Sequence, residues 1–134
     1  MHPAVKYCKE AYQNLDAVMF LDKHIDIYPL LPFTHVLITD YSSIYYDFLL
    51  LKNKEFILYP FDYETYIVNS NRLAFDYNTY TPGVKVYNFD ELIQCIQNES
   101  IDLSIENKPW IRNQFWGHHA ATTNDALYQK IKTL

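Results

Sequence analysis

The residues best placed to do chemistry are those of Val36-Leu-Ile-Thr-Asp40-Tyr41-Ser42-Ser43-Ile-Tyr-Tyr-Asp47. A continuous apolar strand runs directly into a turn, and the turn into a helix that opens on two hydroxyls. In an open α/β sheet, ligands bind beyond the carboxyl ends of the strands. Hydroxyls and unpaired backbone N–H groups at a helix start are donors suited to phosphate oxygens. Asp47 lies five residues after Ser42 and is a carboxylate suited to accepting hydrogen bonds from sugar hydroxyls. A plainer reading stands beside this one: Asp40 and Ser42 cap a helix and do nothing else.

The elements that must position this segment follow from punctuation and periodicity. Pro3 and the spacing of Val5, Cys8, Ala11/Tyr12 and Leu15 predict a helix over 3–14. Val18 to Leu21 reads as a short buried strand, and Asp26 to Leu31 as a short helix stopped by Pro32. Val36–Thr39 is a strand, Ser42–Lys52 a helix, Glu55–Tyr59 a strand ended by Pro60, and Asp62–Val68 a short helix. Residues 69–83 read as a loop that ends in Pro82-Gly83, followed by a strand over Val84–Tyr87. Asn88 caps the next helix with Glu91 at the reciprocal position, and Phe89, Leu92, Ile93 and Ile96 form its apolar stripe. Residues 108–116 and 120–133 make two further helices. Alternating helices and continuous apolar strands predict an α/β fold: a Rossmann-like parallel sheet with helices on both faces. About four strands are visible, fewer than a doubly wound sheet usually has.

Composition narrows the function classes. The chain has 134 residues with 49% hydrophobic and 17% aromatic content, which fits a single domain with a packed core. Two glycines are too few for a glycine-rich nucleotide loop, and 11 basic against 16 acidic residues argue against duplex nucleic acid as a partner. Cys8 and Cys95 are isolated thiols that fit a reducing compartment. No apolar run reaches the length of a membrane span, and the start has no secretory leader pattern, so the expected location is cytoplasmic. His118-His119 has no carboxylate or thiol nearby to complete a metal site, and the spacing of the loop carboxylates Asp62 and Asp76 signals none. Tyr45, Tyr46, Tyr59 and Tyr66 are expected to pack where helices meet strands, with Tyr41 set apart because it sits in the turn between the Val36–Thr39 strand and the helix that follows. Trp110 and Trp116 lie about two turns apart on one helix, spaced to pack on another domain.

Leu37-Ile38-Thr39-Asp40-Tyr41-Ser42-Ser43-Ile44 with Asp47-Phe48 resembles the signature of the CDP-glycerol glycerophosphotransferases. The resemblance extends to His2-Pro3, Asp26-Ile27-Tyr28 with Leu30-Leu31, Tyr59-Pro60-Phe61-Asp62, Phe75-Asp76-Tyr77, Pro82-Gly83 and Glu91-Leu92. It implies that the chain is the C-terminal, donor-binding half of a GT-B architecture, with 1–134 as one domain. The implied reaction moves glycerol phosphate from CDP-glycerol to a polymer or lipid-linked acceptor in teichoic-acid synthesis. By carry-over, His2 contacts or polarises the donor diphosphate, and Ser42 and Ser43 bind phosphate beside Asp40 and Tyr41. Asp47 holds the ribose or shapes its pocket, and the backbone near Asp26 and Ile27 faces the cytosine. The base for the acceptor hydroxyl belongs to the family's N-terminal domain, so the chain alone is expected to be inactive and to need that domain as a partner. A divalent metal is compatible with diphosphate chemistry, though no ligand set demands one. The family works peripherally at the inner face of the membrane.

The chain departs from the family pattern in three places, one of them His35, which stands where a small or acidic residue is usual. Asn71-Arg72-Leu73 stands where an Arg-Gly pair is usual, so Arg72 is offset as a donor contact. The stretch after Gly117 has no arginine. Two other readings remain open at this level. One is a GT-B glycosyltransferase that uses a nucleotide sugar for capsule or lipopolysaccharide synthesis. The other is a non-catalytic remnant that serves as an interaction module.

Overall fold

Phe56, Ile57 and Leu58 are three consecutive apolar residues, each at most 2% exposed. Successive side chains of a strand point to opposite faces, so such a run is buried only if both faces of its sheet are covered. The computed structural model describes residues 17–19, 21–22, 24–69, 73–98, 101–104, 109–117 and 122–133. It divides the chain into two units, Met1–Pro32 and Phe33–Leu134.

The second unit carries an α/β, Rossmann-like sheet. Strands β1 (Val36–Thr39), β2 (Glu55–Leu58) and β3 (Val84–Lys85) lie in the order β1-β2-β3. Both pairings are parallel, with Val36 opposite Glu55 and Ile57 opposite Val84. Helix α1 (Ile44–Phe48) links β1 to β2, and α2 (Tyr63–Asn69) and α3 (Tyr77–Tyr80) lie between β2 and β3. Helices α4 (Phe89–Gln97), α5 (Pro109–Trp116) and α6 (Thr123–Lys132) follow.

The two faces of β2 are covered by different helices. Phe56 meets the α1 rings of Tyr45 and Phe48 at centroid distances of 5.2 and 5.1 Å. Ile57, on the opposite face, clusters with Val86 and with Leu92 and Cys95 of α4, and Val36, Tyr59, Val84, Ile101 and Leu103 pack against that cluster. Because β3 is only two residues long, it pairs with the second half of β2. The first half is met from beyond α4, where the Phe56 N–H donates to the Leu103 carbonyl at 3.0 Å and Glu55 bridges Ser104. The backbone groups of the central strand are thereby paired.

Several expected boundaries move, for identifiable reasons. The expected helix over Ser42–Lys52 is α-helical only from Ile44 to Phe48. Leu50 and Leu51 donate three residues back, to the Asp47 and Phe48 carbonyls, which tightens the helix end. Asn53 then adopts a left-handed φ of 54° that turns the chain into β2, a conformation asparagine tolerates. Val18, Met19 and Leu21, expected in a strand, carry none, and Met19 is 83% exposed. Apolarity alone does not supply a ladder partner, and three strands stand among the described residues where about four were expected. The expected loop 69–83 contains α3, capped by Asp76, whose side chain accepts from the Thr79 N–H at 2.8 Å. This bond holds the Asp76 carboxyl below its usual range. The segment expected as a helix over 26–31 is a 3-10 helix over Tyr28–Phe33 that contains Pro32. The expected helix over 3–14 lies outside the described residues.

The cap at Asn88 is borne out. Its side chain accepts from the Glu91 N–H at 2.9 Å, and Glu91 reaches back to the Tyr87 N–H at 2.8 Å. This box turns α4 over the sheet so that Leu92 and Cys95 face inward. Burial raises the pKa of the Cys95 thiol, so it stays protonated in the core. Among the described residues, no helix is long and apolar enough to cross a membrane. Asn88→Ala is expected to cost about 1 kcal/mol, read as a lower urea midpoint with an unchanged m-value.

Candidate functional site: a cleft at the end of the first strand

Where β1 ends, the chain enters the turn Asp40–Ser43 and the cleft opens beside it. The cleft has a volume of about 510 Å³. Asp40, Tyr41, Ser42, Ser43, Tyr46 and Asp47 form one side, Leu73 to Phe75 with Tyr77 and Thr81 form another, and Phe115 and Trp116 of α5 close it. Five of the residues singled out in the sequence, Asp40, Tyr41, Ser42, Ser43 and Asp47, are therefore brought together. Asp26 and Ile27 belong to the first unit, where the Asp26 carboxylate accepts from the Tyr28 N–H at 3.0 Å and starts the 3-10 helix. His2, Arg72 and the pair His118-His119 lie outside the described residues.

The capping explanation for the serines is weak in the structure. Ser43 occupies the N-cap position of α1 but makes no side-chain capping bond. Ser42 Oγ accepts from the Ile44 N–H at 3.5 Å, the outer limit of a hydrogen bond. Both serines line the cleft, and each hydroxyl can donate as well as accept. With only five residues in α1, the donors that count are these hydroxyls and not a long helix dipole.

The turn is held from outside its own helix. The Tyr77 hydroxyl donates to the Asp40 carbonyl at 3.1 Å, and the Tyr41 hydroxyl donates to Asp62 Oδ1 at 3.0 Å. The Tyr41 ring stacks on Tyr66 at 3.9 Å and 13°. Burial first, then the Asp62 hydrogen bond, raises the Tyr41 pKa; burial first, then the Asp40 charge, raises that of Tyr77. Both phenols therefore stay protonated and remain donors. Tyr45, at 1% exposure, donates to the Pro82 carbonyl at 2.6 Å and ties α1 to the turn before β3.

The far wall depends on the end of α5. Trp116 Nε1 donates to the Tyr46 carbonyl at 2.8 Å, one of the carbonyls freed where α1 ends early. Phe115 lies 4.0 Å from the Tyr46 ring and meets Phe75 edge-on at 5.2 Å. The Trp116 spacing suggested a contact with another domain; its indole instead closes the cleft of its own unit. Gly117 ends α5 with φ 61°, its N–H donating to the Asn113 carbonyl, as a left-handed helix end requires.

Sequence reasoning missed Tyr77, Thr81, Phe75 and Phe115 as cleft residues. The spacing Asp76-x-x-Thr79 was the one available signal for the first two, because it marks a helix start inside the apparent loop. Nothing local marks Phe115, which reaches the cleft only through the packing of α5. Among the described residues, no group of three or more His, Cys, Asp or Glu is arranged to hold a metal ion.

The chain matches the model of the CDP-glycerol:poly(glycerophosphate) glycerophosphotransferase family over residues 1–131. It belongs to that family. The match includes the whole Asp40–Asp47 segment and both walls of the cleft. Relatives include the teichoic acid ribitol-phosphate polymerase TarK of Staphylococcus aureus, 31% identical over 104 residues, which are 77% of this chain and 20% of the relative. The teichoic acid poly(ribitol-phosphate) polymerase of Bacillus spizizenii is 34% identical over 74% of this chain and 16% of its own length. The teichoic acid poly(glycerol phosphate) polymerase of Bacillus subtilis is 37% identical over 56% of this chain and 10% of its own. This chain thus spans a fifth or less of the length of these curated relatives.

The tyrosines set the alkaline limit of this unit. The pKa of Tyr45 is raised above the ordinary value near 10 chiefly by burial, as are those of Tyr41 and Tyr77. Above pH 10 the unfolded chain loses these protons while the folded chain keeps them. The folded state then binds more protons, so stability falls as pH rises; below pH 10 this contribution is fully present. Thermal melts from pH 9 to 11.5 are expected to show a steepening loss of stability. Tyr45→Phe is expected to make the slope shallower by about 1.4 kcal/mol per pH unit.

Proposed function

We propose that this chain is the donor-binding part of a transferase that moves glycerol phosphate from CDP-glycerol to a teichoic-acid or related cell-surface polymer. The reading rests on one observation: the cleft at the end of β1 is built from the Asp40–Asp47 segment, inside the family match. The hydroxyls of Ser42 and Ser43 donate to diphosphate oxygens, and the Asp47 carboxylate accepts from a ribose hydroxyl. Tyr46, Phe75 and Phe115 supply an apolar wall that keeps bulk water from the bound donor. Asp26, Ile27, His2 and Arg72 keep the roles their motif positions imply: the first two at the base, the others at the diphosphate.

The step is phosphoryl transfer. The acceptor hydroxyl oxygen forms a bond to the phosphorus that bears glycerol, the bond from that phosphorus to the bridging oxygen breaks, and CMP leaves with the electron pair. The acceptor proton goes to a base assigned to the family's N-terminal half, which would meet this cleft across a GT-B interface. Positioning and charge stabilisation carry most of such a reaction. The acceptor brings the enzyme to the inner face of the membrane. The names of the relatives divide between ribitol phosphate and glycerol phosphate; the choice of glycerol follows the family's own description.

Calorimetric titration of this chain with CDP-glycerol, CMP and UDP-N-acetylglucosamine tests the reading. Saturable, cytidine-selective binding is expected, with the Ser42→Ala, Ser43→Ala double variant weaker by about tenfold or more, since hydrogen bonds to charged groups are worth about 1.5–3 kcal/mol each. Binding of the uridine ligand alone would replace the reading with a nucleotide-sugar transferase. A folded chain that binds none of the three would leave a non-catalytic interaction module.

A further inference from the structure

We infer that Tyr77 is a positioning residue: by holding the Asp40 carbonyl, it fixes where the Ser42 and Ser43 hydroxyls stand for a ligand's phosphate, with Tyr41 as its second anchor. This rests on the donor-cleft reading and deepens it.

The argument begins with what the turn lacks. Its own helix has five residues, Ser43 makes no capping bond, and the Ser42 contact with the Ile44 N–H is 3.5 Å long. Local bonds therefore define the two hydroxyls poorly. The firm bonds come from distant sequence. Tyr77, 37 residues away and 5% exposed, donates to the Asp40 carbonyl at 3.1 Å. Tyr41 donates to Asp62, 21 residues away, at 3.0 Å. Asp40 and Tyr41 immediately precede the two serines, so the backbone leading into both hydroxyls is pinned at two consecutive residues.

Tyr77 is itself held firmly enough to act as an anchor. Asp76 caps its helix, Thr81 Oγ1 donates to its carbonyl, and the Lys85 ammonium lies 5.4 Å from its ring centroid. Its ring packs against Tyr41 at 5.4 Å and Tyr63 at 5.6 Å. A binding group held in place before the ligand arrives loses less freedom on binding. The hydroxyl of Tyr77 is thus placed to tune phosphate affinity through Asp40 without touching the phosphate.

The test uses the whole chain and the Tyr77→Phe, Tyr41→Phe and Tyr63→Phe variants. Tyr63→Phe is the control, because it removes a hydroxyl from the same ring cluster without touching the turn. Two quantities are measured: backbone 15N order parameters at Asp40–Ser43 without ligand, and affinities for CDP and for cytidine. In Tyr77→Phe, order at the turn is expected to drop and CDP affinity to fall about five- to tenfold. Cytidine affinity is expected to stay near wild type, with the melting temperature lower by the few degrees that one lost hydrogen bond brings. Tyr41→Phe is expected to move the same way by less, and it decides the matter if Tyr77→Phe does not fold. Unchanged order, unchanged CDP affinity, or equal losses for CDP and cytidine would overturn the positioning role while leaving the donor-cleft reading intact. Failure of the wild-type chain to bind CDP would overturn both.

Discussion

Burial of β2 on both faces is the constraint on which the rest of this structure depends. Three consecutive large apolar side chains are almost fully removed from water, each contributing about 1.5–3 kcal/mol. A single covering layer cannot achieve that. Phe56 requires α1 on one face, and Ile57 requires α4 on the other. Once α1 is fixed against Phe56, the chain leaving β1 has a short path to it, and the Asp40–Ser43 turn is that path. The site is thus a consequence of how the central strand is covered.

The same economy explains the cleft walls. Helix α1 is short because its last turn tightens and the chain reverses at Asn53. The shortening leaves the Tyr46 carbonyl for Trp116, so the end of one helix becomes the docking point for another. Phe115 then arrives beside Tyr46 as the next ring in the wall. The opposite wall is fixed by α3, a single turn whose cap at Asp76 directs Tyr77 toward Asp40. A short helix is unstable alone. Here it is held by tertiary bonds, and the cleft inherits its shape from them.

The tyrosines give the chain its particular character. Instead of lysine or arginine, phenol hydroxyls hold the turn among the described residues, and burial keeps them neutral. Among the described residues that line the cleft, the charged groups are the carboxylates Asp40 and Asp47.

The sequence by itself determined the parallel α/β class, the strand over Val36–Thr39 to the residue, the Asn88–Glu91 box and the segment that opens the cleft. These are legible because they depend on local periodicity, cap chemistry and strand apolarity, all written within a few residues. Tertiary structure alone decided that Val18, Met19 and Leu21 carry no strand, that Trp116 takes the Tyr46 carbonyl, and that Tyr77, Phe75 and Phe115 join the site. Each of those outcomes turns on a partner far away in sequence: a ladder edge to pair with, a carbonyl left at the end of α1, a ring packed against Tyr46. Contacts separated by 37 or 70 residues leave no pattern in a local window, because their energy appears only when the sheet has already brought the two ends together.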